Sequence, residues 1–520
     1  MPVVTAVDLL GIQRYIFGSH RLADAVSASW LVHWATSTEQ SMSEDLPAGA
    51  LYEYRDCVLA SGGGTAILEF CNEDEAKRFA AKYTRTLMDK APGLEAVVVH
   101  KDYEPGHLAE CLMGMGELVA QAKSQRLPSA ELLGLGVTAR CSIAGRPAVK
   151  LDDEDGPISK MVTVWRSDLV TNAARQRWER FLNSSASRYH FPPNINHMGR
   201  STGVSSLCGV VHIDGNGTGD KIQEWLGRCR QAPDEEVRRQ YREWSQAIND
   251  TLEAAFQTVL DDLLAAITDG KVNGKVKDLE FDLFTTDLGI ALPLRPLILG
   301  GDDLTFICDG RIAPYLAQKA LERFDGVVIP HLGKWSACAG VAIVHTRYPF
   351  FRAYDMAASL CRNAKDERRA RQHKGSWIDW HVGSSSKTLN EIRRTHYTFR
   401  HYDKRFELTC RPYKLGSDSE PDTWKWLSEV LLGSSDAGFR SEMWSQRKNK
   451  LMTLMELSRE GPDAIERALQ AWRVQAPNLR FAGLGDDGFL EGRRTPLLDA
   501  IELLDVHLPL RAKDEKEVSV

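Results

Sequence analysis

The stretch that decides the fold is LILGGDDLTFIC, residues 297–308. Apolar, partly β-branched runs flank Gly300-Gly301-Asp302-Asp303, a pattern that predicts two antiparallel strands joined by a tight glycine turn. An earlier run, Cys208 to Ile213, has the composition of a buried strand and ends in Asp214. We expect Asp214 at the tip of a neighbouring strand, beside the two aspartates of the turn.

The same order of elements occurs earlier in the chain. A predicted strand over 3–8 ends in Asp8, and predicted strands over 51–60 and 65–70 flank Gly62-Gly63-Gly64. Asp8 then matches Asp214, and the first two of these glycines match Gly300 and Gly301. Gly64 and Thr65 stand where the later copy has Asp302 and Asp303. The alternative is two unrelated hairpins, because glycine pairs are common in hairpin turns.

The remaining predicted elements complete two units of similar order. In the first unit they are helices over 22–34 and 73–90 and a strand over 96–100. In the second they are a helical stretch over 221–267, a helix over 313–324, a strand over 336–345 and a helix over 350–371. Both orders are βαββαβ, so the predicted fold class is α+β with two ferredoxin-like palm domains. The predicted domains are a degenerate palm (1–148), a helical linker (149–205), a catalytic palm (206–382) and a mainly helical C-terminal domain (383–520).

Three clustered carboxylates suit two-metal nucleotidyl transfer. Attack of a 3′-hydroxyl on an α-phosphate is assisted by two divalent ions, which hard oxygen ligands hold. We therefore predict Asp214, Asp302 and Asp303 as catalytic residues and, with the Gly215 carbonyl, as ligands of Mg²⁺ or Mn²⁺. Gly300 and Gly301 would let a nucleotide approach the backbone. The alternative is an ordinary acidic turn, since aspartates are common in turns.

Two further groups of residues are candidates for binding nucleotides or nucleic acid. Lys365, on the helix after the last palm strand, is predicted to reach a triphosphate as a point charge. Residues 391–413 interleave arginines with aromatic residues, a pattern that binds RNA or single-stranded DNA. The alternative for that segment is a solvated β-hairpin with an aromatic face.

Composition narrows the class of protein. The formal net charge of −6 disfavours a dedicated duplex-DNA binder, and ten cysteines without a Cys-x-x-Cys pair disfavour a zinc ribbon. The cysteines lie among apolar neighbours, which is typical of reduced, buried thiols. We see neither a signal peptide nor an apolar run long enough to span a bilayer, and we expect a soluble, cytoplasmic protein without membrane partners.

The chain resembles a known family at several motifs. It resembles the large subunit of type III CRISPR effector complexes, the palm polymerase that makes cyclic oligoadenylate. The motifs are Gly11-Ile12-Gln13-Arg14-Tyr15-Ile16-Phe17, Arg21-Leu22, Ala25, Ser27-Ala28-Ser29, Leu135-Gly136-Val137-Thr138, Cys141, Gly145, Pro147-Ala148, Asp214, Gly300-Gly301-Asp302-Asp303, Ala339-Gly340-Val341-Ala342 and Ala364-Lys365.

The resemblance implies two facing ATP molecules, one on each palm, with metal ions on the second palm only. Gly62, Gly63 and Gly64, together with Ser27 and Ser29, would then contact the acceptor nucleotide; the serines alternatively pack a helix. Family members often carry a His-Asp nuclease domain, and this sequence contains no His-Asp pair. We therefore expect a compact relative that does not cleave single-stranded DNA.

Two functional hypotheses follow from these residues. The first is an enzyme that makes cyclic oligonucleotides or dinucleotides from ATP in antiviral defence, alone or as a homodimer. The second is a nucleotide-binding scaffold or sensor with little catalysis, bound to CRISPR-type subunits or RNA. A GGDEF-type cyclase shares the palm, but it works as a pair of identical palms, and the two palms predicted here are unequal.

Overall fold

The computed structural model describes residues 1–40, 47–126, 137–199, 206–401, 403–416, 420–435, 437–490 and 493–512. These residues form a mixed α+β fold with several sheets, in agreement with the predicted fold class. Leu135, Gly136 and Tyr402, which belong to segments discussed above, lie outside the described residues. Within the described ranges, no helix has the length and apolar character needed to cross a membrane.

The N-terminal unit, residues 3–125, is one antiparallel sheet with helices. Its elements are β1 (Val3–Leu10), α1 (Ile12–Ile16), α2 (Leu22–Thr36), β2 (Val58–Gly62), β3 (Thr65–Phe70), α3 (Glu73–Lys90), β4 (Glu95–Asp102) and α4 (Leu108–Gln125). The sheet order is β2-β3-β1-β4, which places β1 in the interior between β3 and β4. Strand β1 is buried over Val3 to Val7, as its interior position in the sheet requires.

The segment after the N-terminal unit is not purely helical. It contains β5 (Ala148–Asp152), β6 (Gly156–Ser159), α5 (Lys160–Trp165), α6 (Asp168–Glu179) and β7 (Tyr189–His190). The hairpin of β5 and β6 was not predicted from sequence, because β5 is exposed and has little of the apolar alternation of a half-buried strand. The aromatic side chains of Trp165, Trp178 and Phe181 in this segment are buried.

The central unit, residues 207–382, is built around a six-stranded sheet. Its strands are β8 (Leu207–Gly215), β9 (Ile267–Thr268), β10 (Lys271–Val272), β11 (Phe281–Asp282), β12 (Phe284–Thr286), β13 (Gly289–Ala291), β14 (Leu294–Gly300), β15 (Asp303–Asp309), β16 (Val328–Ile329), β17 (Gly333–Lys334), β18 (Ala337–His345) and β19 (Trp377–Val382). Its helices are α7 (Thr218–Arg228), α8 (Asp234–Ala265), α9 (Ala313–Phe324) and α10 (Phe350–Ala370).

The C-terminal part is mainly helical, but it also supplies a strand to the central sheet. Its elements are α11 (Leu389–His396), β20 (Thr398–His401), β21 (Lys404–Glu407), β22 (Tyr413–Lys414), α12 (Glu442–Ser445), α13 (Lys448–Leu457), α14 (Pro462–Arg473) and α15 (Leu497–Leu503), with a π-helical segment at Trp426–Leu431. Strand β22 pairs with β19, so the central sheet runs β14-β15-β8-β18-β19-β22.

The two sheets have the same arrangement of four strands. The order β2-β3-β1-β4 in the N-terminal unit matches β14-β15-β8-β18 in the central unit. In the first sheet Asp8 lies opposite Thr65, and in the second Asp214 lies opposite Asp303. These registers place Asp8 and Asp214, and likewise Thr65 and Asp303, at equivalent positions, as the alignment of the two copies predicts.

Two predicted elements differ from the structure. The single helical stretch over 221–267 is two helices, α7 and α8, because Pro233 is extended and starts a new helix with Asp234-Glu235-Glu236 in its first turn. The strand predicted over 51–60 begins only at Val58, since Tyr52–Cys57 form a 3₁₀ helix.

Helix α8 ties the two units together. Arg238 makes a bidentate ion pair with Glu69 on β3, at 2.7 and 2.8 Å. Arg242 donates to the backbone oxygens of Asp56 and Val58, at 3.0 and 3.1 Å. Bidentate arginine–carboxylate pairs have a fixed geometry, so this helix holds the hairpin of β2 and β3 against the central unit.

Candidate active site

The three predicted metal ligands meet at one edge of the central sheet. Asp214 lies near the end of β8, directly opposite Asp303, the first residue of β15. Asp302 precedes it in the turn, and the Gly215 amide donates to the Asp302 backbone oxygen at 3.0 Å. Carboxylate oxygens of all three aspartates lie within 4.8 Å of one another. The sequence prediction that these side chains cluster is therefore correct in geometry.

This cluster is electrostatically unfavourable without a cation. Burial, and then the neighbouring carboxylates of Asp214 and Asp302, raise the pKa of Asp303 well above its ordinary value. Burial and Asp214 also raise the pKa of Asp302, against a lowering contribution from the Thr218 hydroxyl. Such repulsion is most easily offset by a positive charge between the carboxylates.

Lys365 supplies one positive charge at this edge. Its Nζ lies 2.6 Å from an oxygen of Asp214 and 2.7 Å from the Gly215 carbonyl oxygen. Burial works to lower the pKa of Lys365, but Asp214 and other acidic neighbours outweigh burial, and the net shift is upward. The predicted lysine is therefore at the site, and it contacts the same carbonyl that the sequence suggested as a metal ligand.

The glycine turns of the two units touch each other. Gly63 and Gly301 both have left-handed backbones, with φ of 60° and 66°. A Cβ built on Gly301 would lie 3.2 Å from the Gly63 Cα, and one built on Gly62 would lie 2.9 Å from the Gly301 nitrogen. Only glycine allows this backbone approach without displacement, so the acid-free turn packs directly on the acidic one.

A cleft opens on each side of this contact. The Asp303 cleft, of about 490 Å³, is lined by Gln13, Ser29, Gly62, Gly63, Gly64, Gly300, Asp303 and Tyr354, among others. The Asp302 cleft, of about 550 Å³, is lined by Asp8, Lys123, Thr218, Trp244, Gly301 and Asp302, among others. The adjacent aspartates of the turn thus face different cavities, both within the usual size range of small-molecule sites, about 300–1,000 Å³.

The N-terminal unit repeats the lysine–aspartate pair. Lys123 Nζ lies 2.9 Å from an oxygen of Asp8. Lys123 and Lys365 occupy the same position when α4 and α10 are aligned from their first residues, Leu108 and Phe350. Lys123 was not predicted from the sequence. Aligning α4 with α10, as equivalent helices of the two units, would have matched it to Lys365.

The two predicted serines differ in position. Ser27 and Ser29 are both buried on α2. Ser29 Oγ donates to the Leu297 backbone oxygen on β14 and lines the Asp303 cleft, whereas Ser27 is absent from the described linings of both clefts. Ser29 therefore helps to join the two units, as the helix-packing alternative suggested. Of the two serines, only Ser29 lies beside the Asp303 cleft.

Tyr354 was also missed from the sequence. It lies on α10, lines the Asp303 cleft, and accepts a hydrogen bond from Gln13 Nε2 at 3.2 Å. Its ring packs against Phe17, with centroids 4.6 Å apart. No motif marks this tyrosine, but Gln13 and Phe17 belong to the motif on which the family resemblance depends.

In the basic and aromatic segment at 391–413, two arginines and most of the described aromatic side chains are used for packing, whereas Arg394, Arg400, Lys404 and Arg405 are exposed. Arg411 is buried and pairs with Asp499 and Glu502, at 2.8 and 2.9 Å. Arg393 pairs with Asp379 at 2.7 Å. Strands β20 and β21 form the hairpin of the alternative interpretation. Among the described aromatic residues of this segment, only Phe399 is partly exposed, so a stacking platform for nucleic acid is not apparent here.

Solved structures of similar fold are known, although no family model and no curated protein matches the chain. The Csm1–Csm4 cassette in complex with AMPPNP is similar over 97% of this chain and 69% of that chain, with a TM-score of 0.53 and 13% identity. Csm1 in T. onnurineus is similar over 97% and 70%, with a TM-score of 0.54 and 13% identity. The cassette in complex with cA3 is similar over 98% and 70%, with a TM-score of 0.52 and 12% identity.

These likenesses establish that the chain has a Csm1-like mixed α+β fold. They extend over nearly the whole chain, and they agree with the family resemblance in the sequence motifs. At such low identity a shared fold does not by itself carry a shared activity, so the activity has to be inferred from the site.

Proposed function

We propose that this chain is a metal-dependent nucleotidyltransferase that joins and cyclises ATP into an oligonucleotide messenger. The observation that carries the proposal is the meeting of Asp214, Asp302 and Asp303 within 4.8 Å at the tips of paired strands. Burial, and then the Asp214 carboxylate, raise the pKa of Asp302 and Asp303, and such a cluster makes chemical sense where cations bind. We further propose a cytoplasmic role in antiviral defence, on the likeness to Csm1.

The strand order supports the palm interpretation. A ferredoxin-like βαββαβ unit has its first and third strands at the centre of an antiparallel sheet. Both units place their first strands, β1 and β8, beside the third, β3 and β15. We therefore interpret the N-terminal unit as a degenerate palm and the central unit as the catalytic palm.

The donor set fits a hard divalent cation. Carboxylate oxygens are the ligands that Mg²⁺ and Mn²⁺ prefer, and the three aspartates offer them from adjacent positions. When bound, such ions would lower the barrier by neutralising charge on the phosphates and by acidifying the attacking hydroxyl. Asp214, Asp302 and Asp303 are the residues that would hold them.

The other residues of the site would position the nucleotides. Lys365, already beside Asp214, is placed to donate to a phosphate oxygen. Gly300 and Gly301 leave the backbone open at the turn, and Gly62, Gly63 and Gly64 form the opposing wall of the Asp303 cleft. The Gln13–Tyr354 hydrogen bond closes one side of that cleft.

Two clefts on either side of the turns are consistent with two nucleotides. The similar solved structures contain AMPPNP in one case and cA3 in another. We propose that ATP occupies both clefts here, with the Asp8–Lys123 pair facing one nucleotide and the three carboxylates facing the reacting groups.

The test is a product assay on purified protein. We expect incubation with ATP and Mg²⁺ or Mn²⁺, with candidate RNA activators present, to give cyclic oligoadenylates detectable by mass spectrometry. An Asp302→Ala/Asp303→Ala double variant should give none, while Asp8→Ala, which removes the N-terminal carboxylate equivalent to Asp214, should keep product formation. Equal yields from the wild type and the double variant would refute the proposal.

A second candidate is a nucleotide-binding subunit with little catalysis of its own. Two of the similar solved structures favour it, because they are complexes of Csm1 with Csm4. Affinity purification from the native host under gentle conditions tests it: stable association with other CRISPR-type subunits and RNA favours a subunit, and a lone homodimer favours a free-standing enzyme. Comparing product formation by both forms separates the scaffold from the enzyme.

A further inference from the structure

A second group of side chains with atoms that can ligate a metal shares Asp214 with the carboxylate cluster. His212 and Asp214 alternate along β8, so their side chains emerge on the same face of the sheet. Cys361 on α10 packs against that face, one helical turn before Lys365. A ring nitrogen of His212, an oxygen of Asp214 and the Cys361 sulfur lie within 4.8 Å of one another.

This group is held in place by further contacts. His212 Nδ1 lies 2.9 Å from Thr305 Oγ1, and its ring meets Tyr354 edge to face, with centroids 5.3 Å apart. The Cys361 thiol donates to the Cys338 backbone oxygen at 3.1 Å. Hydrogen bonding at one ring nitrogen orients a histidine and leaves the other nitrogen available for a metal.

The two ligand groups differ in chemical character and share one residue. Asp214, Asp302 and Asp303 offer only oxygens, whereas His212, Asp214 and Cys361 offer nitrogen, oxygen and sulfur. Hard Mg²⁺ prefers the first set, and Zn²⁺, with bonds of about 2.0–2.3 Å to nitrogen, oxygen and sulfur, prefers the second. Ligand atoms already within 4.8 Å require only small side-chain shifts to reach those distances.

We infer that His212, Asp214 and Cys361 form a Zn²⁺ site that overlaps the carboxylate site at Asp214. Zinc bound there draws Asp214 away from Asp302 and Asp303 and inhibits the enzyme in competition with Mg²⁺ or Mn²⁺. The inhibition rests on the proposed function, whereas the binding does not. Water completes the tetrahedral coordination.

Access to this site runs through Asp214. His212 and Cys361 are 6% and 1% exposed, whereas the Asp214 side chain is 31% exposed. Binding releases the Cys361 thiol proton to solvent and breaks its hydrogen bond to Cys338. It also weakens the Lys365–Asp214 ion pair, because the metal competes for the same carboxylate.

Binding is tested with Co²⁺, a spectroscopic substitute for Zn²⁺, on the full chain after removal of metals with EDTA. We expect a thiolate-to-cobalt charge-transfer band in the near ultraviolet that saturates at one equivalent and is abolished by added Zn²⁺. Cys361→Ser should lose this band, and Cys208→Ser, a buried cysteine at the other end of β8, should keep it. A missing band in folded wild type, or an unchanged band in Cys361→Ser, would overturn the site.

If Cys361→Ser fails to fold, a variant that retains every cysteine still tests the site. His212→Asn should weaken Co²⁺ binding by more than about tenfold, a loss that follows removal of even an outer partner of a metal ligand. Equal Co²⁺ affinity in His212→Asn and wild type, measured by titration, would also refute the site.

The regulatory part is tested by activity. With ATP and a fixed Mg²⁺ concentration, Zn²⁺ should inhibit product formation, and excess Mg²⁺ should relieve the inhibition. Cys361→Ser should keep its basal activity and require at least about tenfold more Zn²⁺ for the same inhibition. If Zn²⁺ inhibited Cys361→Ser and the wild type equally, the proposed competition between Zn²⁺ and Mg²⁺ or Mn²⁺ would be refuted. If the wild type makes no product, the proposed function fails while the Co²⁺ titration still decides the metal site.

Discussion

The two glycine turns that meet at the centre of the molecule have the same framework and different chemistry. Gly62-Gly63-Gly64-Thr65 and Gly300-Gly301-Asp302-Asp303 join equivalent strands, and Gly63 and Gly301 share a left-handed backbone. Each unit also has an aspartate on its first strand, paired with a lysine on its last helix. The N-terminal turn has no acidic residues at the positions of Asp302 and Asp303 in the central turn.

Under the proposed function, this difference separates the unit that only holds a nucleotide from the unit that also reacts with it. The Asp8–Lys123 pair and the glycine turn give the N-terminal unit a charged, open edge without the extra carboxylates that we propose to hold a metal. The central unit has the same edge with Asp302 and Asp303 added. Changing equivalent positions in the two units therefore tests the assignment of roles directly.

The largest expected effect comes from the acids. Asp214→Asn should reduce product formation by on the order of 10³-fold, because a metal ligand contributes several kcal/mol to the transition state. Asp8→Asn should change it only severalfold. Initial rates with ATP and Mn²⁺, on proteins with matching circular dichroism spectra, measure both. Similar losses in the two variants would mean that the units do not differ in role.

The contact between the turns gives the next largest effect. Gly63→Ala and Gly301→Ala should each lower activity by about tenfold or more, because each added Cβ lies 3.2 Å from the opposing Cα. Gly156→Ala is the control, since its φ is 70° but its Cβ meets nothing within 4 Å. All three changes introduce similar backbone strain, roughly 1–2 kcal/mol. If Gly156→Ala reduced activity equally, strain rather than contact would be the cause.

The paired lysines should have unequal importance. Lys365→Met should lower kcat/KM by on the order of 10²-fold, as loss of a charge donor near the reacting phosphate does. Lys123→Met should mainly raise the KM for ATP by about tenfold, the value of one charged hydrogen bond. Steady-state kinetics separates the two. An equal fall in kcat for both lysines would contradict the proposed division between units.

The smallest expected effect is on stability. Asp303→Asn should stabilise the metal-free protein by about 0.5–2 kcal/mol, because it removes a buried charge repelled by Asp214 and Asp302. Asp8→Asn should not stabilise it, because Asp8 is paired with Lys123. Thermal unfolding in EDTA measures both changes. Destabilisation by Asp303→Asn would show that the carboxylate makes net favourable contacts without metal.

Local sequence pattern predicted much of the fold. The bounds of β3 and α3 match the prediction, since alternation and an asparagine cap mark them clearly. The break before α8 and the 3₁₀ helix ahead of β2 were missed. The break before α8 lies in a sequence of helix-like composition, where a single proline decides the conformation. The 3₁₀ helix lies in a sequence of strand-like composition, where the surrounding packing decides it.

The site was predicted in part, for a similar reason. Asp214, Asp302 and Asp303 follow recognisable strands, so their meeting could be expected. Lys123 and Tyr354 lie at helix positions that no motif marks, and their roles depend on which elements pack beside them. The sequence pattern made Arg411 a candidate for contact with nucleic acid, but α15 supplies the buried Asp499 and the partly buried Glu502, which pair with it.

The sequence by itself determined the glycine turns, most of the strands beside them and the duplicated order, because these depend on residues close together in the chain. It also determined which unit has the extra acids. Only the tertiary structure decided that Gly63 packs against Gly301, that the clefts lie on both sides of this contact, and that Cys361 approaches His212 and Asp214. Such contacts join residues far apart in sequence, and they depend on how the two sheets and helix α8 pack together.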